Sequence, residues 1–286
     1  MLRYAADIRT LIYMAITTAL LVVQWSRDSF SPALFIACLF MAVSVSVIAH
    51  NHNHLTIWKS NTLNALTDYW LTLFYGFPAF GWIPTHNQNH HKFNNRKGDH
   101  TLTYRYTEKT NLFTLLTYPP VSGFHQQKPI GDYLKKQYGT NRSRFWFYIS
   151  QYVLLAGFLV AAFVVDWQKA LLYIVIPQQV SLYVVLIFNY VQHVHTDEES
   201  PVNHSRNIVG PVMNVLLFNN GLHTVHHDIP GLHWSNAQAA HAKVADQIDP
   251  RLNEQSLWWF LIRVYVLGLF SHKARSSSMR LERMAR

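Results

Sequence analysis

Histidines in short clusters are the residues of this sequence whose types and spacing could do chemistry. The 286-residue chain has 17 histidines and one cysteine, Cys38, which lies in an apolar run. Imidazole is a common ligand of transition metals, whereas a single thiol cannot form the clusters that hold structural zinc or iron–sulfur centres. The clusters therefore predict a metal site built from nitrogen ligands.

The first cluster, HNHNH, ends at His54 and follows an apolar stretch. If the preceding helix continues through it, His50 and His54 lie about 6 Å apart on one face, because residues four apart are neighbours on a helix. That spacing lets two imidazoles reach one metal ion, and it leaves His52 pointing elsewhere.

The second cluster, HNQNHH, contains His86, His90 and His91. In an α-helix His86 and His90 share a face, while His91 is turned by about 100° from His90. Two of these three side chains can therefore serve one ion, and the third can face another.

The third cluster, HTVHH, places His223, His226 and His227 on one stripe of a helix. A further segment, NYVQHVH, supplies His193 or His195 at the end of an apolar run. Together the clusters hold more imidazoles than one closed tetrahedral zinc site needs. Nitrogen ligands suit iron, copper or nickel better than magnesium or calcium, and two ions are the simplest interpretation.

The elements that must position these histidines are membrane helices. Half of the residues are hydrophobic and only 14% are charged, against about 25% in soluble proteins. Four apolar stretches approach the length of about 20 residues that a bilayer requires, namely residues 10–25, 32–49, 145–165 and 171–190. Two further apolar stretches, residues 66–84 and 257–270, are broken or short and are predicted to be re-entrant or interfacial helices. The prediction is an all-α membrane protein with two helical hairpins in a single domain, residues 1–286.

The remaining sequence, residues 50–144 and 191–286, is predicted to form a cytoplasmic cap. If the N-terminus is cytoplasmic, Arg27 and Lys169 are the only lysine or arginine residues left outside, which satisfies the positive-inside rule. The net charge of +9 then reflects membrane orientation. A nucleic-acid surface is excluded because the basic residues flank apolar spans. All the histidine clusters fall on the cytoplasmic side in this topology.

The order and spacing of the clusters resemble the membrane fatty acid desaturase and hydroxylase superfamily, the integral-membrane histidine-box di-iron enzymes. The resemblance covers residues 49–234, in which the three histidine boxes HNHNH, HNQNHH and HTVHH follow one another. It implies a non-haem centre of two iron ions on the cytoplasmic face. Such a centre uses dioxygen as co-substrate, with two electrons, to attack an unactivated C–H bond of a lipid.

Carried over residue by residue, the resemblance implies nine histidine ligands and no catalytic side chain beyond the metal centre. They are His50 and His54 in the first box, His86, His90 and His91 in the second, His223, His226 and His227 in the third, and His193 after the last span. Asn189, one helical turn before His193, matches a position that in some desaturases reaches iron through water. NYVQHVH also looks like the alkane hydroxylase signature, but Gln192 stands where an acid is usual, which argues against hydroxylation of free alkanes.

Three polar residues inside the fourth span are candidates for lining an acyl channel, namely Gln178, Gln179 and Ser181. Polar groups at that depth face either a cavity or a neighbouring helix. Hydrogen bonding between helices is therefore the alternative role for these three side chains.

Electrons are predicted to come from a separate protein, because the sequence has no iron–sulfur segment and no dinucleotide fingerprint. A ferredoxin or rubredoxin with its reductase would fit this role. Basic residues of the cap would attract an acidic donor or, alternatively, anionic lipid headgroups. They include Lys92, Arg96, Lys97, Lys135 and Lys136.

The leading hypothesis is oxygen-dependent desaturation of a fatty acyl chain. Hydroxylation or decarboxylative formation of a terminal alkene would use the same site on a fatty acid, an alkane or a carotenoid. A histidine-rich membrane metal transporter or sensor is the alternative from another class. Transport predicts ionisable groups along a path at mid-membrane, whereas these clusters lie at the ends of the spans. The short extramembrane segments favour a bacterial inner membrane.

Overall fold

The computed structural model describes residues 1–286, and the protein is mainly helical. The α-helices are α1 (Ile8–Trp25), α2 (Pro32–His54), α3 (Asn61–Tyr75), α4 (His91–Phe93), α5 (Leu112–Thr140), α6 (Arg142–Ala170), α7 (Ile176–His193), α8 (Pro211–Leu216), α9 (His223–Asp228), α10 (Ala237–His241), α11 (Leu257–Leu261) and α12 (Met279–Met284). Two strands, β1 (Asn207–Ile208) and β2 (Asn253–Glu254), pair in parallel. This short ladder and an isolated bridge between Leu2 and Trp58 are small departures from the expected all-α architecture.

Three helical stretches are long and apolar enough to cross a membrane: Ala5–Trp25, Pro32–His54 and Arg142–His193. The last has 52 residues, more than twice the length that one span needs. Its backbone is extended at Asp166, with φ of −159° and ψ of 98°. The break lies in the segment VDWQKA, where the sequence predicts a turn between two spans. The apolar helix Leu257–Leu269 is shorter than a span.

The protein divides into two compact units. The first unit comprises Met1–Pro84 and Lys128–Val185, and the second comprises Thr85–Gln127 and Leu186–Arg286. The expectation of a single integral-membrane domain stays a prediction.

The first unit is a set of apolar helices in which α2 lies against α1 and α3, and α3 lies against α6. Helix α2 begins at Pro32, a residue suited to a first helical position, and the hydroxyl of Ser31 accepts a bond from the Leu34 amide. Helix α3 ends at Gly76, whose φ is +83°. A side chain at Gly76 would also collide with Gln178, because an added Cβ would lie 2.5 Å from the Gln178 Cβ.

In the second unit, Arg206 holds the end of α7. Its Nη1 donates to the carbonyl oxygens of Val191 and Val194, at 2.7 and 2.9 Å, and its guanidinium lies over the ring of Phe260. Arg206 is buried. A cation that binds the last carbonyls of a helix stabilises that end of the helix dipole. The contact fixes the position at which α7 presents His193.

Candidate metal centre

The first histidine group of the second unit is a triangle of Nε2 atoms from His86, His91 and His226. Its sides are 3.1 Å between His86 and His91, 3.0 Å between His91 and His226, and 3.4 Å between His86 and His226. Each nitrogen carries either a proton or a lone pair, so at least one side of a triangle must join two like groups. Hydrogen bonds alone therefore cannot satisfy this arrangement, whereas a central cation would accept all three lone pairs.

The second histidine group contains His90, His193, His223 and His227, whose ligand atoms all lie within 4.8 Å of one another. The Nε2 atom of His193 lies 3.1 Å from that of His90 and 2.9 Å from that of His223, which is 3.1 Å from that of His227. A metal–nitrogen bond is about 2.1 Å long, so two ligands at right angles on one ion lie about 3.0 Å apart. The spacing of the four rings therefore fits a shared metal ion.

A π-helix explains how the second box is divided between the two groups. Residues Ile83–His90 form this helix, whose hydrogen bonds join residues five apart. His86 therefore meets His91, and His90 is the residue that turns to the other group. The division into two and one is the one expected, but α-helical spacing pairs His86 with His90, and that pairing is wrong here.

The third box on α9 is divided in the opposite proportion, with one histidine in the triangle and two in the four-histidine group. His223 and His227, four residues apart, lie on one side with their Nε2 atoms 3.1 Å apart, whereas His226 joins the triangle. Burial and the neighbouring imidazoles lower the pKa of His227 well below its usual value. The ring is therefore neutral at pH 7, which is the protonation state that a metal ligand needs.

Asp99 orients His90. Its Oδ2 accepts a hydrogen bond of 2.8 Å from Nδ1 of His90, and it also accepts from the Asn95 amide. The backbone amide and hydroxyl of Thr101 both donate to Oδ1 at 2.7 Å. Burial by itself raises the pKa of Asp99, but the electrostatic interaction with the His90 ring and the hydrogen bonds from His90 and Thr101 outweigh it and lower that pKa well below its usual value. The ionised carboxylate keeps the proton of His90 on Nδ1 and leaves Nε2 with its lone pair.

His193, and not His195, belongs to the four-histidine group. His195 has a φ of 62°, and its ring nitrogens bond to the hydroxyl of Ser276 and the carbonyl oxygen of Glu108, each at 2.8 Å. The side chain of Gln192 is buried, and its Nε2 donates to the carbonyl oxygen of Asn220, at 2.9 Å. Because that partner is an acceptor, the amide of Gln192 has a role that an ionised carboxylate could not take over.

The family model described as Fatty acid desaturase matches residues 29–259, which is most of the sequence. The chain belongs to the fatty acid desaturase family. No curated protein and no solved structure matches it. As a member of this family with two histidine groups, it is an enzyme of the membrane di-iron oxidoreductase type.

In this member of the desaturase family the first box lies in the first unit, at the end of α2. The rings of His50 and His54 have centroids 4.9 Å apart, as the four-residue spacing predicts. His52 points elsewhere, because its Nδ1 accepts a bond of 3.2 Å from the Ile57 amide. Its Nε2 lies 3.5 Å from the carboxylate of Asp68.

The channel candidates of this desaturase-family protein have different surroundings. Nε2 of Gln178 donates to the carbonyl oxygen of Leu73 at 2.7 Å, and the hydroxyl of Ser181 donates to that of Ala42 at 2.8 Å. Both contacts join helices, which supports the alternative role. Gln178 also lines a small, mostly apolar cavity together with Cys38 and Tyr173. Gln179 is exposed.

Sequence reasoning did not find Tyr118, whose hydroxyl is hydrogen-bonded to Asn189. Nδ2 of Asn189 donates to the Tyr118 hydroxyl at 2.6 Å, and that hydroxyl donates to the carbonyl oxygen of Thr101, also at 2.6 Å. No sequence signal marks Tyr118, because it lies far from every histidine box and directly precedes two prolines, which usually end a helix. Asp99 is one of several acids in the sequence, and spacing alone does not indicate which of them accepts a hydrogen bond from a ligand histidine.

Proposed function

We propose that this protein desaturates a fatty acyl chain, with dioxygen as co-substrate, at a centre of two iron ions held by nine histidines. The observation that carries the proposal is the pair of histidine groups in the second unit of a desaturase-family protein. Two iron ions bound there would supply the oxidising power that a strong C–H bond in the middle of an acyl group requires. The protein itself would hold the two ions, orient the acyl chain against them and keep water out of the site.

One ion is assigned to the four-histidine group of His90, His193, His223 and His227, with Asn189 as a contact through water. The other is assigned to the triangle of His86, His91 and His226, and the resemblance to the histidine-box enzymes implies that His50 and His54 of the first box complete its ligands. The triangle needs this completion because three imidazoles alone leave most positions of an iron ion to water. The rings of His50 and His54 lie side by side, so both can serve one ion.

The proposed arrangement in the membrane has four spans in two hairpins, with Arg142–His193 contributing two of them. The break at Asp166 supports this division, because its carboxylate accepts bonds from the amides of Gln168 and Lys169 and so begins a new helical segment. The bias of lysine and arginine supports a cytoplasmic N-terminus and a cytoplasmic metal centre. A bacterial inner membrane is the proposed location.

A separate redox protein, such as a ferredoxin or rubredoxin with its reductase, is the proposed electron source. Lys92 and Lys97 are exposed and stand on either side of the Asn95 segment. The side chain of Asn95 in turn donates to the carbonyl oxygen of His193 at 3.2 Å. Positive charge close to the metal ligands would favour the approach of an acidic donor.

The test is to incubate the purified, iron-loaded protein with acyl thioesters and acyl lipids, a reduced ferredoxin system and dioxygen. The products are identified by gas chromatography and mass spectrometry. We expect a monounsaturated acyl product from the wild-type protein and none from His227→Ala. A hydroxylated product, or a terminal alkene one carbon shorter than the substrate, would contradict desaturation and show that the same site carries out hydroxylation or decarboxylation. Metal uptake into vesicles without any oxidised product would favour the transporter hypothesis.

A further inference from the structure

The hydroxyl of Tyr118 stands between two polar groups of the second unit. Its oxygen lies 2.6 Å from the carbonyl oxygen of Thr101 and 2.6 Å from Nδ2 of Asn189. Tyr118 is buried, on the part of α5 that belongs to this unit. Its ring packs beside that of Tyr190, with centroids 4.8 Å apart.

The chemistry of these groups fixes the direction of both bonds. A carbonyl oxygen only accepts, so the single proton of the Tyr118 hydroxyl points to Thr101. The phenolic oxygen then has only lone pairs left for Asn189, and the group that meets it must be a donor. An amide has its donors on nitrogen alone, so Nδ2 of Asn189 faces Tyr118 and Oδ1 is turned away from it.

We infer that Tyr118 is a positioning residue that orients Asn189, so that its amide oxygen rather than its amino group serves the four-histidine group. Asn189 lies one turn before His193 on α7, and residues four apart share a helix face. An amide oxygen on that face attracts a cation and accepts from a water ligand of the ion, whereas an amino group repels the cation and cannot accept the proton that such a water donates. The inference rests on the proposed function, because it concerns one of the two proposed ions.

The same hydroxyl also supports His90 through Thr101. The Oγ1 of Thr101 donates to Asp99 at 2.7 Å and lies 2.9 Å from Nδ1 of His90. Tyr118 therefore connects the segment that orients His90 with the helix that carries His193. Both histidines belong to the four-histidine group, so loss of the hydroxyl will affect that ion and spare the ion at the triangle.

The experiment uses the full-length protein in detergent, loaded with iron-57, and records its Mössbauer spectrum and the rate at which a chelator removes iron. The variants are Tyr118→Phe and Asn189→Leu, singly and together. The matched control is Tyr190→Phe, which removes a buried hydroxyl from the neighbouring ring. That hydroxyl bonds to Thr110 and Thr114 and not to Asn189.

We expect Tyr118→Phe and Asn189→Leu to change the same one of two iron signals and to release that iron about tenfold faster, as loss of a supporting contact does at other metal sites. The double variant should change no more than the larger single effect, because the two residues act through one contact. Tyr190→Phe should leave both signals and the release rate unchanged.

The inference is overturned if Tyr118→Phe behaves as Tyr190→Phe does, with lower thermal stability but two unaltered iron signals. It is equally overturned if Asn189→Leu leaves both signals as they are, or if the double variant shows the product of two independent effects. Failure of the proposed function looks different, because the wild-type protein would then show no pair of bound irons before any substitution is made.

Discussion

Nδ1 of His90 lies 2.8 Å from Oδ2 of Asp99, and both side chains are fully buried. The bond keeps the proton of His90 on the nitrogen that faces away from the other histidines, and it leaves the nitrogen that faces them with a lone pair for a metal ion. A similar pair joins Nε2 of His204 to Asp228 at 3.2 Å, but His204 belongs to neither histidine group. The two pairs therefore provide a test and its control.

Asp99→Asn should weaken iron binding at the four-histidine group by roughly 10- to 100-fold, because it removes the charge that supports His90. The measurement is competition with a graded series of chelators, followed by elemental analysis. Asp228→Asn should leave iron binding unchanged. Equal iron retention in the two variants would show that Asp99 does not support a ligand.

Gln192→Glu should destabilise the protein by about 1–3 kcal/mol, because it places a carboxylate against the carbonyl oxygen of Asn220. Gln192→Met, which removes the donor without adding charge, should cost less. Thermal unfolding in detergent compares the two. A Gln192→Glu variant as stable as the wild-type protein would mean that this position tolerates the acid of the alkane hydroxylase signature.

The free energy of unfolding of the metal-free protein should decrease as the pH is lowered below about 6.5, the ordinary pKa of histidine. Burial lowers the pKa of His227 in the folded protein, so the unfolded protein binds its proton first as the solution is acidified. The unfolded state then holds more protons than the folded state, and the free energy of unfolding decreases. Above about pH 6.5 both states are neutral at this residue, and it contributes no pH dependence.

Thermal unfolding of chelator-treated protein between pH 8 and pH 5.5 measures this effect. His227→Ala should show a shallower dependence than the wild-type protein. A stability that stays flat through this range in the wild-type protein would contradict a neutral, buried His227.

Ser181→Ala should cost about 0.6 kcal/mol and at most about 1.7 kcal/mol, the mean and the maximum for hydrogen bonds between membrane helices, and leave the products unchanged. Its hydroxyl bonds to Ala42, so the side chain stabilises a contact between helices. Gln179→Ala, at an exposed position of the same helix, should leave both unchanged. A shift in product length from Ser181→Ala without loss of stability would instead assign Ser181 to an acyl channel.

Local spacing predicted those parts of the site that depend on one helix. The pairs His50 and His54, and His223 and His227, meet as α-helical periodicity requires. The pairing within the second box did not follow this rule, because Ile83–His90 is a π-helix. Tertiary contacts decide whether such a segment forms a π-helix or an α-helix, and a single sequence contains no clear signal of that choice.

Contacts between distant segments could not be predicted. The segment TYPPVSGF contains Pro119 and Pro120, which usually end a helix, yet α5 continues through it as part of a 29-residue helix. That helix presents Tyr118 to Asn189, 71 residues further along the sequence. The three long apolar helical stretches lie where the sequence predicts apolar spans, because apolar length and composition can be read from the sequence.

The iron content of the purified, detergent-solubilised protein tests the central claim most directly. Elemental analysis should find close to two irons per protein molecule. The iron content should fall in His90→Ala and His226→Ala, one from each histidine group, and remain in His241→Ala, a buried histidine outside both groups. Stoichiometric zinc that persists after expression in iron-rich medium, or no metal in well-folded protein, would contradict a di-iron desaturase.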